Sequence, residues 1–116
     1  MNIEEIVINH LAQLLDVPVK AEVPNTRPTQ FVTVERHGGA LENVVIDHAD
    51  ITVQVWARTR HEASALMERA DTALHKLKGT NSVTQVRRNT ITNFPDLEYS
   101  MARYQGYYEL IFYKED

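Results

Sequence analysis

At 116 residues, 43% of them hydrophobic, the chain has the size of a single domain, residues 1–116, able to bury a core without staples. It has no cysteine, which excludes a disulfide scaffold, a thiolate metal site and a Cys nucleophile. Twelve basic against sixteen acidic side chains, net −4, argue against sequence-independent binding along a phosphate backbone, and with no basic leader and no apolar run near the roughly 18 residues of a membrane span, cytosolic synthesis is the expectation.

Ile3, Ile6, Val7, His10, Leu11, Leu14 and Leu15 recur at helical spacing, with Asn2 placed to cap the helix and Glu5 in capping-box position. Asp16-Val17-Pro18 ends it, because the residue before a proline is pushed out of the α region. Pro18 to Val23 predicts a short strand, Pro24 to Pro28 a turn, and Gln30 to Arg36 an alternating strand with Val32 and Val34 on one face. Gly38-Gly39 breaks that strand; no phosphate-binding glycine motif is present, and the pair reads as a turn needing positive φ. Residues 37–49 fit either a mobile loop or a β-ribbon returning through Val44, Val45 and Ile46.

From Asp50 to Gly79 the pattern is at its clearest. Ile51, Val53 and Val55 alternate with Thr52, Gln54 and Trp56, and the period then switches to 3.6 with Ala63, Leu66, Met67, Ala70, Leu74 and Leu77. Thr59 and Glu62 form a capping box at the junction, while Lys76, Lys78 and Gly79 mark the far end. Ser82 to Thr92 reads as a Thr-rich strand closed by Asn93-Phe94-Pro95-Asp96, and Arg103 to Tyr113 as an aromatic one.

The order α-β-β-β-α-β-β gives an α+β domain, a mostly antiparallel mixed sheet with both helices on one face. If Tyr104, Tyr108, Leu110 and Phe112 face the helices, then Tyr107, Ile111 and Tyr113 face away together with Trp56. Either a loop folds over these four side chains or they form an assembly interface. His37, Gly38 and Gly39 are the candidate contact loop.

Reactive constellations are thin. Glu68, Asp71 and His75 share a face of the second helix opposite its apolar stripe, where solvated side chains explain them. His61-Glu62 begins a metalloprotease-like string, but Ala65 stands where the second ligand belongs. Asp47, His48 and Asp50 suit turn hydrogen bonds before a strand, and His10 sits at the edge of the first apolar stripe. Arg87 and Arg88, with Arg103 and nearby tyrosines, suggest a single-strand surface, yet adjacent strand residues point to opposite faces. No catalytic, cofactor or metal residue is assigned, and the chain is not expected to be an enzyme.

Several pieces in this order carry a resemblance: the Leu-rich first helix; Phe31 to Arg36 running into His37-Gly38-Gly39; Asp50 to Ala57; a helix rich in Ala, Glu and Arg ending at Leu77; and Arg103 to Leu110. Over most of its length the chain resembles the small tail-terminator, or tail-completion, proteins of long-tailed bacteriophages and prophages. The resemblance implies a structural virion protein that forms a homohexameric ring on the finished tail tube, stops its polymerisation and presents a docking surface to the head–tail connector. Its partners would be copies of itself, the tail-tube protein and the connector, with no membrane contact and nucleic acid met only as the genome passing through the ring. It would be found in the host cytoplasm during assembly and then in the virion tail. The matching Gly38, Gly39, Trp56 and Arg103 suit a fold-shaping role as well as a contact role. A head-completion or connector protein of the same virion, and a small cytosolic ligand-binding α+β domain, are the alternatives.

Overall fold

The computed structural model describes residues 2–114. The elements run α1 (Ile3–Leu14), β1 (Val19–Lys20), β2 (Phe31–Gly38), β3 (Ile46–Ala57), α2 (Arg60–His75), β4 (Val83–Asn93) and β5 (Ala102–Tyr113). They build the α+β fold that the sequence predicts. The strands form one sheet in the order β1-β2-β3-β5-β4, in which β1 runs parallel to β2 and the other neighbours are antiparallel.

α1 starts at Asn2, whose Oδ1 accepts the Glu5 N–H at 3.1 Å. α2 starts at Thr59, whose hydroxyl accepts the Glu62 N–H at 3.2 Å. Only this half of the expected capping box forms. The Glu62 carboxylate turns to Arg58, 3.6 Å away, and its Oε1 is left without a partner. α2 also stops earlier than its pattern suggests, at His75, and Leu77 stays in the core on a tight turn that reaches Gly79 at φ +86°.

The helices lay Ile3, Val7 and Leu11, then Leu66, Met67, Ala70, Ala73 and Leu74, over one face of the sheet. That face offers Val32 and Val34 of β2, Ala49, Ile51, Val53 and Val55 of β3, and Tyr108, Leu110 and Phe112 of β5. Gly106 lets α2 settle closely, since a Cβ there would stand 2.8 Å from the Tyr108 ring and 3.0 Å from the Met67 methyl. The Tyr108 hydroxyl then donates to Asp71 of α2 at 2.7 Å.

Residues 37–49 divide. His37 and Gly38 belong to β2, β3 begins at Ile46, and the tight tip between them is held by the Glu42 and Asn43 amides donating to the Ile46 carbonyl. Asp47, His48 and Asp50, expected in a turn, are therefore strand residues paired with Phe112, Ile111 and Glu109 of β5. On the far side, β1 covers β2 only at Val32 and Thr33. Beyond that, the Arg36 N–H donates to the Glu4 carboxylate at 2.8 Å.

Leu74 is 1% exposed, and Leu74→Ala should cost about 2 to 5 kcal/mol through the cavity it opens. Thr59→Ala should cost about 1 kcal/mol, through one lost cap bond. Thermal melts of both variants check this order, and a milder loss from Leu74→Ala would overturn the assignment of the buried stripe.

Candidate functional site

The face of the sheet turned away from the helices holds the predicted residues. In the β3–β5 register Trp56 pairs with Arg103, Thr52 with Tyr107, His48 with Ile111 and Ile46 with Tyr113, so Trp56, Tyr107, Ile111 and Tyr113 share that face. They do not form one patch. Three zones succeed one another along it.

At one end Trp56 is 1% exposed, which overturns its place in an open aromatic surface. It stacks on Phe31 with ring centres 4.6 Å apart, and the 94–101 loop between β4 and β5 closes over the pair. Asp96 ties that loop down: its Oδ2 accepts from the Trp56 Nε1–H at 3.2 Å and from Arg27 at 2.8 Å, and its Oδ1 accepts the Tyr99 N–H. Two cations pack between the rings. Arg27 sits 3.7 Å from the Tyr99 ring centre, and Arg103 sits 4.1 Å from that of Phe94 and 5.5 Å from that of Trp56. Burial pushes the Asp96 carboxyl up, but the bonds from Arg27, Trp56 and the Tyr99 N–H together hold it below its ordinary value.

The middle of the face is polar. Gln54 donates to Gln105, and Gln105 donates to the Tyr107 hydroxyl at 2.7 Å. Half-buried Tyr107 meets the His37 ring edge-on, 5.7 Å between centres. Thr33, Thr52 and Gln105 are all buried here.

At the other end His48 bridges Glu42 of the hairpin tip, at 2.7 Å, and Glu109 of β5, at 3.2 Å. These residues, with Asp50, Gly39 and Leu41, line an open cleft of about 610 Å³. Gly39 shapes it with φ +110°, and a Cβ there would lie 2.2 Å from the His48 carbonyl oxygen. Beyond the cleft Tyr113 is 51% exposed and Ile111 half-buried, beside the exposed Leu41, Val44 and Val45.

The remaining sequence candidates dissolve into structure. Asp71 is far from solvated: it accepts from Tyr108 and Arg88 and lies 3.3 Å from His75. Burial first, and then the Asp71 carboxylate, push the Tyr108 hydroxyl well above its ordinary range, so it remains a donor. Arg87 pairs with Glu109 on the outer face while Arg88 pairs with Asp71 on the helix face, as strand alternation requires. His10 meets the Ala73 carbonyl at 2.7 Å. Among the described residues no three His, Asp or Glu side chains are placed to hold a metal ion, and no helix is long and apolar enough to cross a membrane.

Sequence reasoning overlooked the Arg27–Asp96–Trp56 knot and the two apolar tips. The first joins residues 69 positions apart, and the tips lie in segments too short to show periodicity. The signal available was a run of large apolar residues, Leu41, Val44 and Val45, in a turn.

These features describe a domain whose polar side chains tie loops and helices to one sheet. The chain matches the family described as phage tail termination protein over residues 1–98. It belongs to that family, and membership gives it a structural role in the phage tail. Comparison with curated proteins finds no match. β5, which carries Tyr107, Ile111 and Tyr113, lies beyond the matched residues.

Trp56 is the chain's single tryptophan, so its fluorescence reports the loop that covers it. Asp96 has a folded-state pKa below the unfolded 3.8, so its contribution is present above that value and is lost as pH falls through the folded one. Emission should move to the red in acid, and Asp96→Asn should show the shift at neutral pH with a loss of about 2 kcal/mol in urea unfolding. Unchanged emission in Asp96→Asn would mean that something else shields the indole.

Proposed function

We propose that the chain assembles into a closed homohexameric ring in the host cytoplasm, caps the completed tail tube, ends its polymerisation and offers the head–tail connector a docking surface. One observation supports this reading beyond family membership. Among the described residues, seven of the nine exposed large hydrophobics fall at the two ends of the sheet: Leu41, Val44, Val45 and Tyr113 at one, Phe94, Leu97 and Tyr99 at the other. The strands between carry twelve register pairs, and the body is 44 Å long against 24 and 23 Å across.

A cap must bind two different things, the tube below and the connector above. A molecule with unlike apolar tips at opposite ends suits that task. Ring closure adds a further demand, because each subunit presents different surfaces to its two neighbours. In this reading Ile111 and Tyr113 join the assembly surface beside the hairpin tip. Tyr107 belongs to the polar middle, and Trp56 supports the opposite loop from beneath.

Val44→Ser and Leu97→Ser each alter a side chain that is 86% exposed, and Tyr113→Ser a half-exposed one. Circular dichroism and melting should change little, within about 0.5 kcal/mol. Electron microscopy should show capping lost: over-long tubes where tube contact fails, tails without heads where connector contact fails. A six-chain ring of 13.3 kDa subunits would run at roughly 80 kDa, which light scattering reads directly. Normal capping by all three variants would overturn the assignment of the tips.

A further inference from the structure

His48 stands out on chemical grounds. Both of its ring nitrogens face carboxylates that come from different elements, Nε2 toward Glu42 of the hairpin tip at 2.7 Å and Nδ1 toward Glu109 of β5 at 3.2 Å. An ionised carboxylate only accepts hydrogen bonds, and a neutral imidazole has one donor and one acceptor nitrogen. Neutral His48 therefore satisfies one partner and turns a lone pair on the other. The imidazolium satisfies both.

The surrounding charges favour the same form. Asp50 lines the cleft from β3, and Asp47 lies on the opposite face of that strand within 3.7 Å of Arg36 of β2. Arg36 also donates to the His48 carbonyl, and Arg87 of β4 occupies the second oxygen of Glu109. His37 of β2 is turned to Tyr107. On the face of the ring three carboxylates, Glu42, Asp50 and Glu109, thus meet one guanidinium group, that of Arg87, and the His48 proton reduces the imbalance. Hydrogen bonds to Glu42 and then to Glu109 hold the imidazole above its ordinary 6.5.

We propose that protonated His48 is a latch that fastens the 39–45 tip to the sheet and sets the position of Leu41, Val44 and Val45, and that its deprotonation frees the tip. The latch stands on the site's own geometry; its consequence for assembly rests on the reading of the tip as a capping surface. The sign follows from linkage. A group whose folded pKa is raised contributes fully below its unfolded value of 6.5 and loses that contribution as pH rises through the folded one. The tip is fastened in mildly acid solution and loosens toward alkaline pH.

The test is an NMR titration of the full chain from pH 5 to 9, following the His48 ring and the amide exchange of residues 40–45, corrected for base catalysis. In the wild type His48 should titrate above 6.5, and tip protection should fall several-fold across the same interval. Glu42→Gln should lower the His48 pKa, and both Glu42→Gln and His48→Gln should give tip protection that no longer follows pH. Wild-type His48 titrating at or below its ordinary value, or tip protection indifferent to pH, would overturn the latch. Tail capping measured over the same range addresses the second step separately. Capping that follows the titration supports coupling of latch to assembly, whereas a tip that titrates beside pH-indifferent capping overturns the coupling and leaves the latch standing.

Discussion

The antiparallel ladder between β3 and β5 governs the molecule. It runs without a break through twelve register pairs, from Ile46 with Tyr113 to Ala57 with Ala102. Side chains alternate with period two, so a slip of one residue would send Ile51, Val53 and Val55 outward and bring Thr52, Gln54 and Trp56 beneath the helices. The same ladder places Gly106 under the Met67 methyl of α2 and Tyr108 within reach of Asp71. Its length also separates the hairpin tip from the 94–101 loop by roughly 40 Å at the usual strand rise.

The outer face shows how one sheet serves several needs. A uniformly apolar face would demand a second layer of core. Here the demand is confined to one end, where the 94–101 loop supplies that layer for Trp56 and Phe31 through the Asp96 knot. The centre carries amides and hydroxyls that bond one another, Gln54 to Gln105 to Tyr107, so it tolerates water. The far end is given to charge, and the exposed apolar groups gather at the loops and at Tyr113, where β5 ends.

Much of this was legible in the sequence because it is local. Period-two alternation in Ile51 to Val55, the 3.6 period of Ala63 to Leu74 and the Thr59 cap each declare themselves within a few residues, and the structure places them as read. What stayed hidden depends on distant partners. Asp47, His48 and Asp50 looked like turn chemistry because they are polar; they are strand because β5 pairs with them and because Arg36 and Glu109 meet their charges. Trp56 lay on the predicted face, but its cover comes from Asp96 and Arg27, which no local pattern links to it. Similarly, Asp71 looked solvated on the helical wheel, and only the Tyr108 and Arg88 contacts show that it joins helix to sheet.

The outer edge of β2 has a consequence of another kind. A sheet edge with open backbone donors invites a further strand, and a copy of the same chain is the most abundant source of one. Along β2 the Val32 N–H is taken by the Pro18 carbonyl at 2.9 Å, and where β1 has run out, the Arg36 N–H is taken by the Glu4 carboxylate. The first turn of α1 thus plugs a growth point that two residues of β1 are too short to cover. For a protein of the tail termination family this is a form of self-restraint: one flank of its own sheet is closed, at Val32 and Arg36, to the strand that a second copy could add.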